Sequence, residues 1–193
     1  DASDGCIEID GINIKDYSVE VLRKKIGIVM QKAVLFKGTV RENLLWGNES
    51  ASDEDIFEAL KTAQALEVVE GKRSGLDSEV AQGGKNFSGG QKQRLTIARA
   101  LVRKPEILIL DDSASALDYA TDASLRKAIR DMKDSPTVFI VSQRASSIKY
   151  ADKIVVLDDG KIAGIGNHDV LLETCSVYQE IYYSQFSKDR KEA

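Results

Sequence analysis

Short runs of consecutive apolar residues alternate along this chain with stretches in which apolar residues recur every three or four positions. The runs at 26–30, 107–110 and 137–141 are typical of strands that are buried on both faces of a sheet. Periodic stretches at about 39–70 and 88–104 predict amphipathic helices. Strands that alternate with helices favour an α/β fold with a mainly parallel sheet.

Between the first two of these strands the pattern contains helix and loop signals alone. We therefore predict that residues 32–104 are all helix and loop and form a helical subdomain. Residues 1–31 and 105–193 would form the sheet-containing core, so that 1–193 is a single domain. The segment Val21–Lys25 is predicted to be a short basic turn.

Two segments outside this block have the pattern of β-hairpins. Asp10-Gly11 lies at the centre of the alternating segment Cys6–Ile14, and Asp159-Gly160 follows the apolar run Ile154–Leu157. Asp-Gly pairs favour the tight turns that join antiparallel strands. The tail from Asn167 is predicted to be helical.

Composition and charge narrow the class of protein. The formal net charge of −4 argues against a general nucleic-acid surface. No apolar stretch approaches the roughly 18–20 residues of a membrane helix. The acidic and polar segment Asp1–Asp4 predicts no signal peptide. Two cysteines far apart, Cys6 and Cys175, indicate a reducing compartment and no disulfide framework. A single histidine, His168, predicts a helix-capping or surface residue and no metal site.

The first candidate site is a glycine-rich turn at a helix start. The segment Ser88–Gln91 has the capping-box pattern, which places a serine at the N-cap and a glutamine three residues later. Free backbone N–H groups at such a turn suit a phosphate. Taken alone, the turn favours an ordinary tight turn or helix cap over a phosphate site.

The second candidate site follows the apolar run 107–110. Asp111 and Asp112 come directly after it, at the strand end where open α/β sheets bind ligands. Gln31 follows the first strand in the same way. Carboxylate and amide oxygens suit Mg²⁺, which keeps several of its waters. Together with the glycine-rich turn, these residues suggest a nucleotide triphosphatase.

The order of these motifs resembles the ATP-binding domain of ATP-binding-cassette (ABC) transporters of the exporter type, over essentially the whole chain. In this resemblance the site residues are the signature loop Phe87, Ser88, Gly89, Gly90 and Gln91, the Q-loop Gln31, the Walker B Asp111, the adjacent catalytic position Asp112, the D-loop Ser115–Asp118 and the switch position Gln143. The segment Ser78–Gly83 matches the loop that touches the membrane domain in exporters.

The resemblance implies a P-loop NTPase (RecA-like) fold, with ATP and Mg²⁺ as cofactors. Asp111 and Gln31 would hold the metal, Asp112 and Gln143 would be catalytic, and the signature loop and Asp118 would bind nucleotide. The implied partners are a second ABC domain in a head-to-tail dimer and the coupling helices of a transmembrane domain, with no nucleic acid. The implied location is the cytoplasmic face of the cell membrane, the chain itself being soluble.

The chain departs from the family pattern in three places. It has no Gly-x-x-x-x-Gly-Lys-Ser/Thr phosphate loop. The resemblance places that loop upstream of Asp1, so we expect a fragment truncated at its N-terminal side, inactive and marginally stable alone. Asp112 stands where the family usually has Glu, and Gln143 stands where it usually has His.

These departures favour the degenerate half of a heterodimeric exporter. Asp112 is one methylene shorter than Glu, and a displacement of about 1 Å can lower a rate on the order of 100-fold. Gln143 can donate a hydrogen bond but cannot carry charge. The chain would then donate its signature loop to the partner's ATP site and hold a slow site of its own.

Three alternatives remain open at this point. The chain could belong to a homodimeric exporter with slow turnover. It could be a non-catalytic module that responds to nucleotide. It could also be a soluble ABC ATPase outside transport, although the exporter-like run Gly38–Asn43 and the acidic charge disfavour that class. In the exporter hypothesis, Phe36 and Trp46 would line the groove that receives a coupling helix, and we expect them to be partly exposed.

Overall fold

The protein is described from a computed structural model that covers residues 2–133 and 135–186. The chain divides into two compact units, the first ending at Phe139 and the second beginning at Ile140. The boundary lies inside a strand. This boundary coincides with neither end of the 32–104 segment. It therefore does not test the division of the chain into a helical subdomain and a core, which stays a prediction.

The first unit contains most of the helices and the main sheet. Its elements, in chain order, are β1 (Glu8–Ile9), β2 (Ile12–Asn13), α1 (Val19–Lys25), β3 (Ile26–Val29), β4 (Gly38–Thr39), α2 (Val40–Leu45), α3 (Asp53–Thr62), α4 (Leu66–Glu70), β5 (Glu79–Val80), α5 (Gly89–Leu101), β6 (Ile107–Asp111), α6 (Tyr119–Arg130) and β7 (Thr137–Val141), whose last two residues belong to the second unit.

The main sheet is three-stranded, with β6 between β3 and β7. Strands β3 and β6 are parallel, with Ile26 opposite Ile107 and Val29 opposite Leu110. The helical segment between them makes the crossover that parallel neighbours require. The three predicted strands are therefore confirmed, but their burial on both faces is not. Leu108 and Leu110 of β6 are buried, whereas Ile28 of β3 and Phe139 of β7 are each 55% exposed. The carboxyl ends of β3 and β6 lie at one edge of the sheet.

Helix α5 is the most deeply buried helix of this unit and contacts α2, α3 and β3. Leu95, Ile97, Ala98 and Leu101 of this helix are almost fully buried. Their spacing gives the apolar stripe that the sequence predicts. Truncating a buried leucine or isoleucine to alanine typically lowers the free energy of unfolding by about 2–5 kcal/mol. The helix thereby holds its own N-terminal turn in a fixed position.

The prediction that residues 32–104 are all helix and loop is wrong in one respect. Strands β4 and β5 pair antiparallel, with Gly38 opposite Val80 and Thr39 opposite Glu79. Each strand has only two residues, so neither has a run long enough to show an alternating pattern. The pairing fixes the loop before α5 against the start of α2.

The basic segment before β3 is also different from the prediction. It forms helix α1 and not a turn, with Ser18 as N-cap accepting a hydrogen bond from the Val21 N–H. Its last turn carries Arg23, Lys24 and Lys25, where positive charge favours the helix C-terminus. The hairpin predicted around Asp10-Gly11 is confirmed as β1 and β2.

The second unit is a hairpin covered by short helices. Its elements are the end of β7, α7 (Ala145–Ile148), β8 (Ile154–Asp158), β9 (Lys161–Gly166), α8 (His168–Thr174) and α9 (Ser176–Gln185). Strands β8 and β9 are antiparallel, which confirms the second predicted hairpin, and Asp159 and Gly160 have the positive φ values of its turn.

An apolar cluster joins β8 to α8 and α9. It contains the buried residues Ile154, Val156, Leu171, Cys175 and Tyr178. Cys175 is a free thiol within this cluster, as expected for a cysteine that serves as a small apolar residue. His168 begins α8, and its Nδ1 lies 2.9 Å from the Tyr178 hydroxyl, so its role here is structural.

Candidate nucleotide site

The signature loop, Phe87–Gln91, begins α5 with the predicted capping box. Ser88 Oγ accepts the Gln91 N–H at 3.2 Å, and Gln91 Oε1 accepts the Ser88 N–H at 3.0 Å. Ser88 and Gly89 are exposed. Helix geometry leaves the N–H groups of Gly89 and Gly90 without an acceptor inside the helix. The turn is therefore held rigidly while it presents donors and a partial positive charge outwards.

The side chain of Phe87 anchors the signature loop in the protein interior. Its side chain is buried, and the Lys72 ammonium lies 4.2 Å from the centre of its ring. The contact is a cation–π interaction, for which estimates run from about 0.5 to 2 kcal/mol. A side chain in this position fixes the loop and is not free to contact a ligand itself, so any contribution of Phe87 to nucleotide binding would come through the backbone.

The signature loop also lies against the D-loop, Ser115–Asp118. A methyl group added at Gly90 would come 3.2 Å from the carbonyl oxygen of Ala116. Gly90 is thus favoured by this close approach of two backbones, because a larger residue would have to displace the D-loop by a few tenths of an ångström. Sequence reasoning recognised the two loops separately but did not show that they touch.

Gln31 and Asp112 meet at the carboxyl edge of the sheet. Gln31 Nε2 donates to Asp112 Oδ2 at 3.1 Å, although the two residues are 81 positions apart. Asp112 has a φ of +41°, an uncommon backbone conformation that strains a residue other than glycine. Its carbonyl oxygen accepts both the N–H and the hydroxyl of Ser115, which holds it in place.

The carboxylate and amide oxygens at this edge of the sheet fit a cation that binds together with a phosphate. Asp111 ends β6, and Asp112 and Gln31 lie beside it. Within 2–133 and 135–186, no group of three or more His, Cys, Asp or Glu residues could hold a metal ion. Mg²⁺ does not need such a group, because it binds through one or two carboxylates, substrate phosphates and water. The residues present therefore fit Mg²⁺ with a nucleotide.

Asp118 has a structural task that the sequence did not reveal. It is the N-cap of α6 and accepts the Thr121 N–H at 2.9 Å and the Thr121 hydroxyl at 2.8 Å. These two hydrogen bonds hold the pKa of the Asp118 carboxyl below its usual value. A signal was available, since Asp followed three residues later by Thr at a helix start is a capping pattern. Its role in nucleotide binding stays a prediction.

Gln143 belongs to the second unit, where its side chain is exposed. Its carbonyl oxygen accepts a hydrogen bond from Gln185 Nε2 at 2.7 Å, and Gln185 Oε1 accepts the Ala145 N–H at 2.9 Å. Helix α9 thus fixes the backbone of this loop. The catalytic role predicted for Gln143 stays a prediction.

Phe36 and Trp46 form a partly exposed aromatic pair on the first unit. Their rings are stacked with centres 4.7 Å apart, and 43% of Phe36 and 66% of Trp46 are exposed. The Arg99 guanidinium lies 5.5 Å from the centre of the Phe36 ring. The expected partial exposure is confirmed. An apolar surface of this kind is typical of an interaction site.

Comparisons with known proteins agree with the fold and the motif order. A family model described as "ABC transporter" matches residues 1–115. An uncharacterized ABC transporter ATP-binding protein of Bacillus subtilis, YwjA, is 43% identical over 97% of this chain and 33% of its own length. An ATP-dependent lipid A-core flippase of Desulfotalea psychrophila is 40% identical over 96% of this chain and 32% of its own length.

A solved structure gives the same result in three dimensions. The structure of a bacterial Atm1-family ABC exporter with ATP bound superimposes with a TM-score of 0.90 and 37% identity, covering 96% of this chain and 33% of that one. The fold and site define an ABC ATPase domain with the P-loop NTPase fold, as the sequence predicts. The chain belongs to the ABC transporter family. It spans about a third of the length of the relatives that it matches.

Proposed function

We propose that this chain is the nucleotide-binding domain of an ABC exporter and that it contributes its signature loop to an ATP held mainly by a partner domain. The observation that carries the proposal is the exposed, doubly capped turn at Ser88. It is preorganised to receive a phosphate, and preorganised donors need no rearrangement when the ligand arrives. The sequence similarity to exporters and the ATP-bound structure support this function.

Different residues of the chain would bind the phosphate of the partner's ATP and the metal ion of the chain's own site. The N–H groups of Gly89 and Gly90 and the hydroxyl of Ser88 would hold the terminal phosphate of the partner's ATP. Asp111 and the amide oxygen of Gln31 would hold Mg²⁺ at this chain's own site. When bound, Mg²⁺ neutralises charge on the phosphates.

The chain's own site is proposed to turn over slowly. Asp112 would accept a proton from, or orient, the attacking water, but it is one methylene shorter than the glutamate usual in the family. It also accepts the Gln31 amide at 3.1 Å, so part of its acceptor capacity is already used. Gln143, in place of the usual histidine, would donate a hydrogen bond without charge. Both features support a degenerate site within a heterodimer.

A second candidate is a nucleotide-responsive regulatory module without catalysis of its own. The hydrogen bond between Gln31 and Asp112 favours this second candidate. Through this bond the carboxyl edge of the sheet would respond to a bound nucleotide without cleaving the nucleotide. In either case the partners would be a second ABC domain and the coupling helices of a transmembrane domain. The domain would lie on the cytoplasmic side of that membrane. Within the described part of the chain, no helix is both long and apolar enough to cross a bilayer.

The test uses the full-length protein, expressed with its partner, and measures ATP hydrolysis. Ser88→Asp should abolish activity, because the introduced carboxylate would repel the negatively charged phosphate of ATP. Aspartate caps helices as well as serine does, so the free energy of unfolding of the variant should lie within about 0.5 kcal/mol of the wild-type value. Ser88→Thr, which keeps the hydroxyl, is the matched control and should stay active.

Asp112→Asn separates the two kinds of site in the same assay. A slow site contributes little to turnover, so this variant should keep most of the activity of the pair. Loss of activity in Asp112→Asn would show that the chain's own site is competent. Retained activity in Ser88→Asp would show that the signature loop does not serve an ATP site at all.

A further inference from the structure

The turn that follows α4 brings a lysine onto the signature loop. Lys72 lies in this turn, and its side chain is half-buried. Its backbone is fixed on both sides, because its N–H donates to the Val69 carbonyl at 3.0 Å and its carbonyl accepts the Gly75 N–H at 3.1 Å. From this turn the Lys72 ammonium reaches a point 4.2 Å from the centre of the Phe87 ring. The contact therefore joins a fixed turn to the first residue of the signature loop.

The aromatic ring is the partner that the structure provides for this charge. Within residues 2–133 and 135–186, the Lys72 ammonium forms no ion pair and no hydrogen bond. Phe87 is only 6% exposed, so little water competes for the face of its ring. An ammonium above an aromatic face is attracted by the negative charge at the centre of the ring. The interaction thus acts on a side chain that is already buried.

The first turn of α5 does not place an apolar residue where it would hold Phe87. An apolar residue before the N-cap often packs against one at the fourth helical position, and this pair fixes the direction in which the chain enters the helix. Phe87 precedes the N-cap Ser88, but the fourth helical position holds Lys92. The stem of Lys92 lies against Gly84, where an added methyl group would come 2.9 Å from its Cδ. Lys72 therefore provides a contact that such a pair would otherwise provide.

We propose that Lys72 is a positioning residue of the signature loop: it holds Phe87, and Phe87 directs the Ser88 turn towards the terminal phosphate of the partner's ATP. This inference rests on the proposed function and adds a residue to it. The ammonium itself does not contact the nucleotide, because it faces a buried ring. It keeps the N–H groups of the turn preorganised for the charge that develops on the reacting phosphate. The partner domain holds most of the ATP, so Lys72 affects turnover more than ATP binding.

The first experiment measures ATP hydrolysis by the full-length protein, expressed with its partner. Lys72→Met keeps the stem and removes the charge. It should lower kcat about two- to tenfold and change the KM for ATP by less than about twofold. Lys72→Arg keeps a cation that binds aromatic faces and should restore most of kcat.

Lys85→Met is the matched control for a general effect of positive charge. Lys85 is an exposed lysine in the segment just before Phe87, and its loss should change neither constant. If Lys85→Met lowered kcat as much as Lys72→Met does, the effect would come from charge alone and the positioning role would be wrong. A higher KM with unchanged kcat in Lys72→Met would also overturn it, because Lys72 would then attract ATP directly.

The second experiment shows whether Lys72 acts through Phe87. Phe87→Leu keeps a buried apolar side chain but removes the aromatic face. In that background Lys72→Met should have no further effect on kcat, because the contact is already lost. Hydrogen exchange of the signature loop, measured by mass spectrometry, should be faster in Lys72→Met than in the wild type. Additive effects of the two substitutions would refute the inference, as would unchanged exchange in Lys72→Met.

Two readouts keep this inference separate from the proposed function. Thermal unfolding of each variant gives its folded fraction at the assay temperature, so that kcat is expressed per folded molecule, and Phe87→Met replaces Phe87→Leu if the latter is unfolded. If Ser88→Asp abolishes hydrolysis while Lys72→Met leaves it unchanged, the proposed function stands and this inference alone is removed. If the wild-type protein with its partner hydrolyses no ATP, the proposed function falls and this inference falls with it.

Discussion

At the scale of single residues, backbone-to-backbone contacts set the strictest requirements on this sequence. Gly90 lies against the Ala116 carbonyl, and Gly47 lies against the Arg99 carbonyl. In both places a neighbouring main chain occupies the space that a side chain would need, so no rotamer change can relieve the contact. Asp112, by contrast, keeps a strained φ despite having a side chain, because its carbonyl and carboxylate are both bonded.

The first prediction concerns Gly47. In Gly47→Ala the new methyl carbon would lie 2.1 Å from the Arg99 carbonyl oxygen, so the loop after α2 must move away from α5. We expect a loss of about 1–3 kcal/mol in the free energy of unfolding, measured by urea titration. Gly89→Ala is the control, since no atom lies within 4 Å of its added methyl group. Equal stabilities of the two variants would contradict the packing described here.

At the scale of elements, the sequence predicted the helices, turns and strands that are determined by neighbouring residues. The capping box at Ser88, the two Asp-Gly hairpins and the three strands of the main sheet each follow from neighbouring residues or a short period. It missed α1, a single short helix of seven residues, and the two-residue strands β4 and β5, which are too short to show a period. Such elements are fixed by tertiary contacts, which a local pattern does not contain.

The candidate site shows the same limit. The sequence placed Asp111 and Asp112 at a strand end and Ser88 at a helix start, because each position depends on the residues beside it. It could not give the Gln31–Asp112 hydrogen bond, which joins residues 81 positions apart and depends on the register of β3 with β6. It also could not show that Arg99 Nη1 and Arg103 Nε are buried without an acceptor among the described residues, because burial of a charge is a property of the packed structure.

The second prediction concerns the start of α3. Asp55 is held by an ion pair with Lys104 at 2.6 Å and by hydrogen bonds from the backbone and hydroxyl of Ser52. The ion pair first, and the Ser52 bonds after it, lower the pKa of Asp55 from 3.8 to about 2. A carboxyl whose folded pKa is lowered stabilises the protein above its unfolded pKa. That stabilisation is lost as the pH falls from about 4 towards 2.

The measurement is the free energy of unfolding of the purified chain between pH 6 and pH 2. Asp55→Asn should be less stable than the wild type at pH 6, and the difference should shrink as the wild-type carboxyl becomes protonated. Lys104→Gln should weaken the same pH dependence by removing the main cause of the lowered pKa. A difference between Asp55→Asn and the wild type that stays constant with pH would rule out this role of the ion pair.

At the scale of the whole molecule, the first unit leaves apolar side chains in and next to its strands on the surface. Ile28, Met30 and Phe139 are each more than half exposed, at 55%, 61% and 55%. Such side chains favour association with another surface. They support the expectation that the chain alone is marginally stable, which stays a prediction.

The third prediction uses the same surface as an optical signal. Trp46 is the single tryptophan of the sequence, and it is two-thirds exposed beside Phe36. The isolated chain should therefore emit at the long wavelength of a hydrated indole, and iodide should quench that emission. In the full-length protein the Trp46 emission, taken as the spectrum of the wild type minus that of Trp46→Phe, should shift to shorter wavelength and resist quenching. A difference spectrum that matches the emission of the isolated chain would contradict docking at this surface.

Trp46→Phe keeps an aromatic ring on Phe36 and serves as the control, because it should remove the signal without disturbing the surface. The stacked pair thus gives this protein an intrinsic fluorophore at the place where a partner is expected to arrive. Assembly could be followed in real time without a dye or a tag, as the part of the emission that the Trp46→Phe variant lacks.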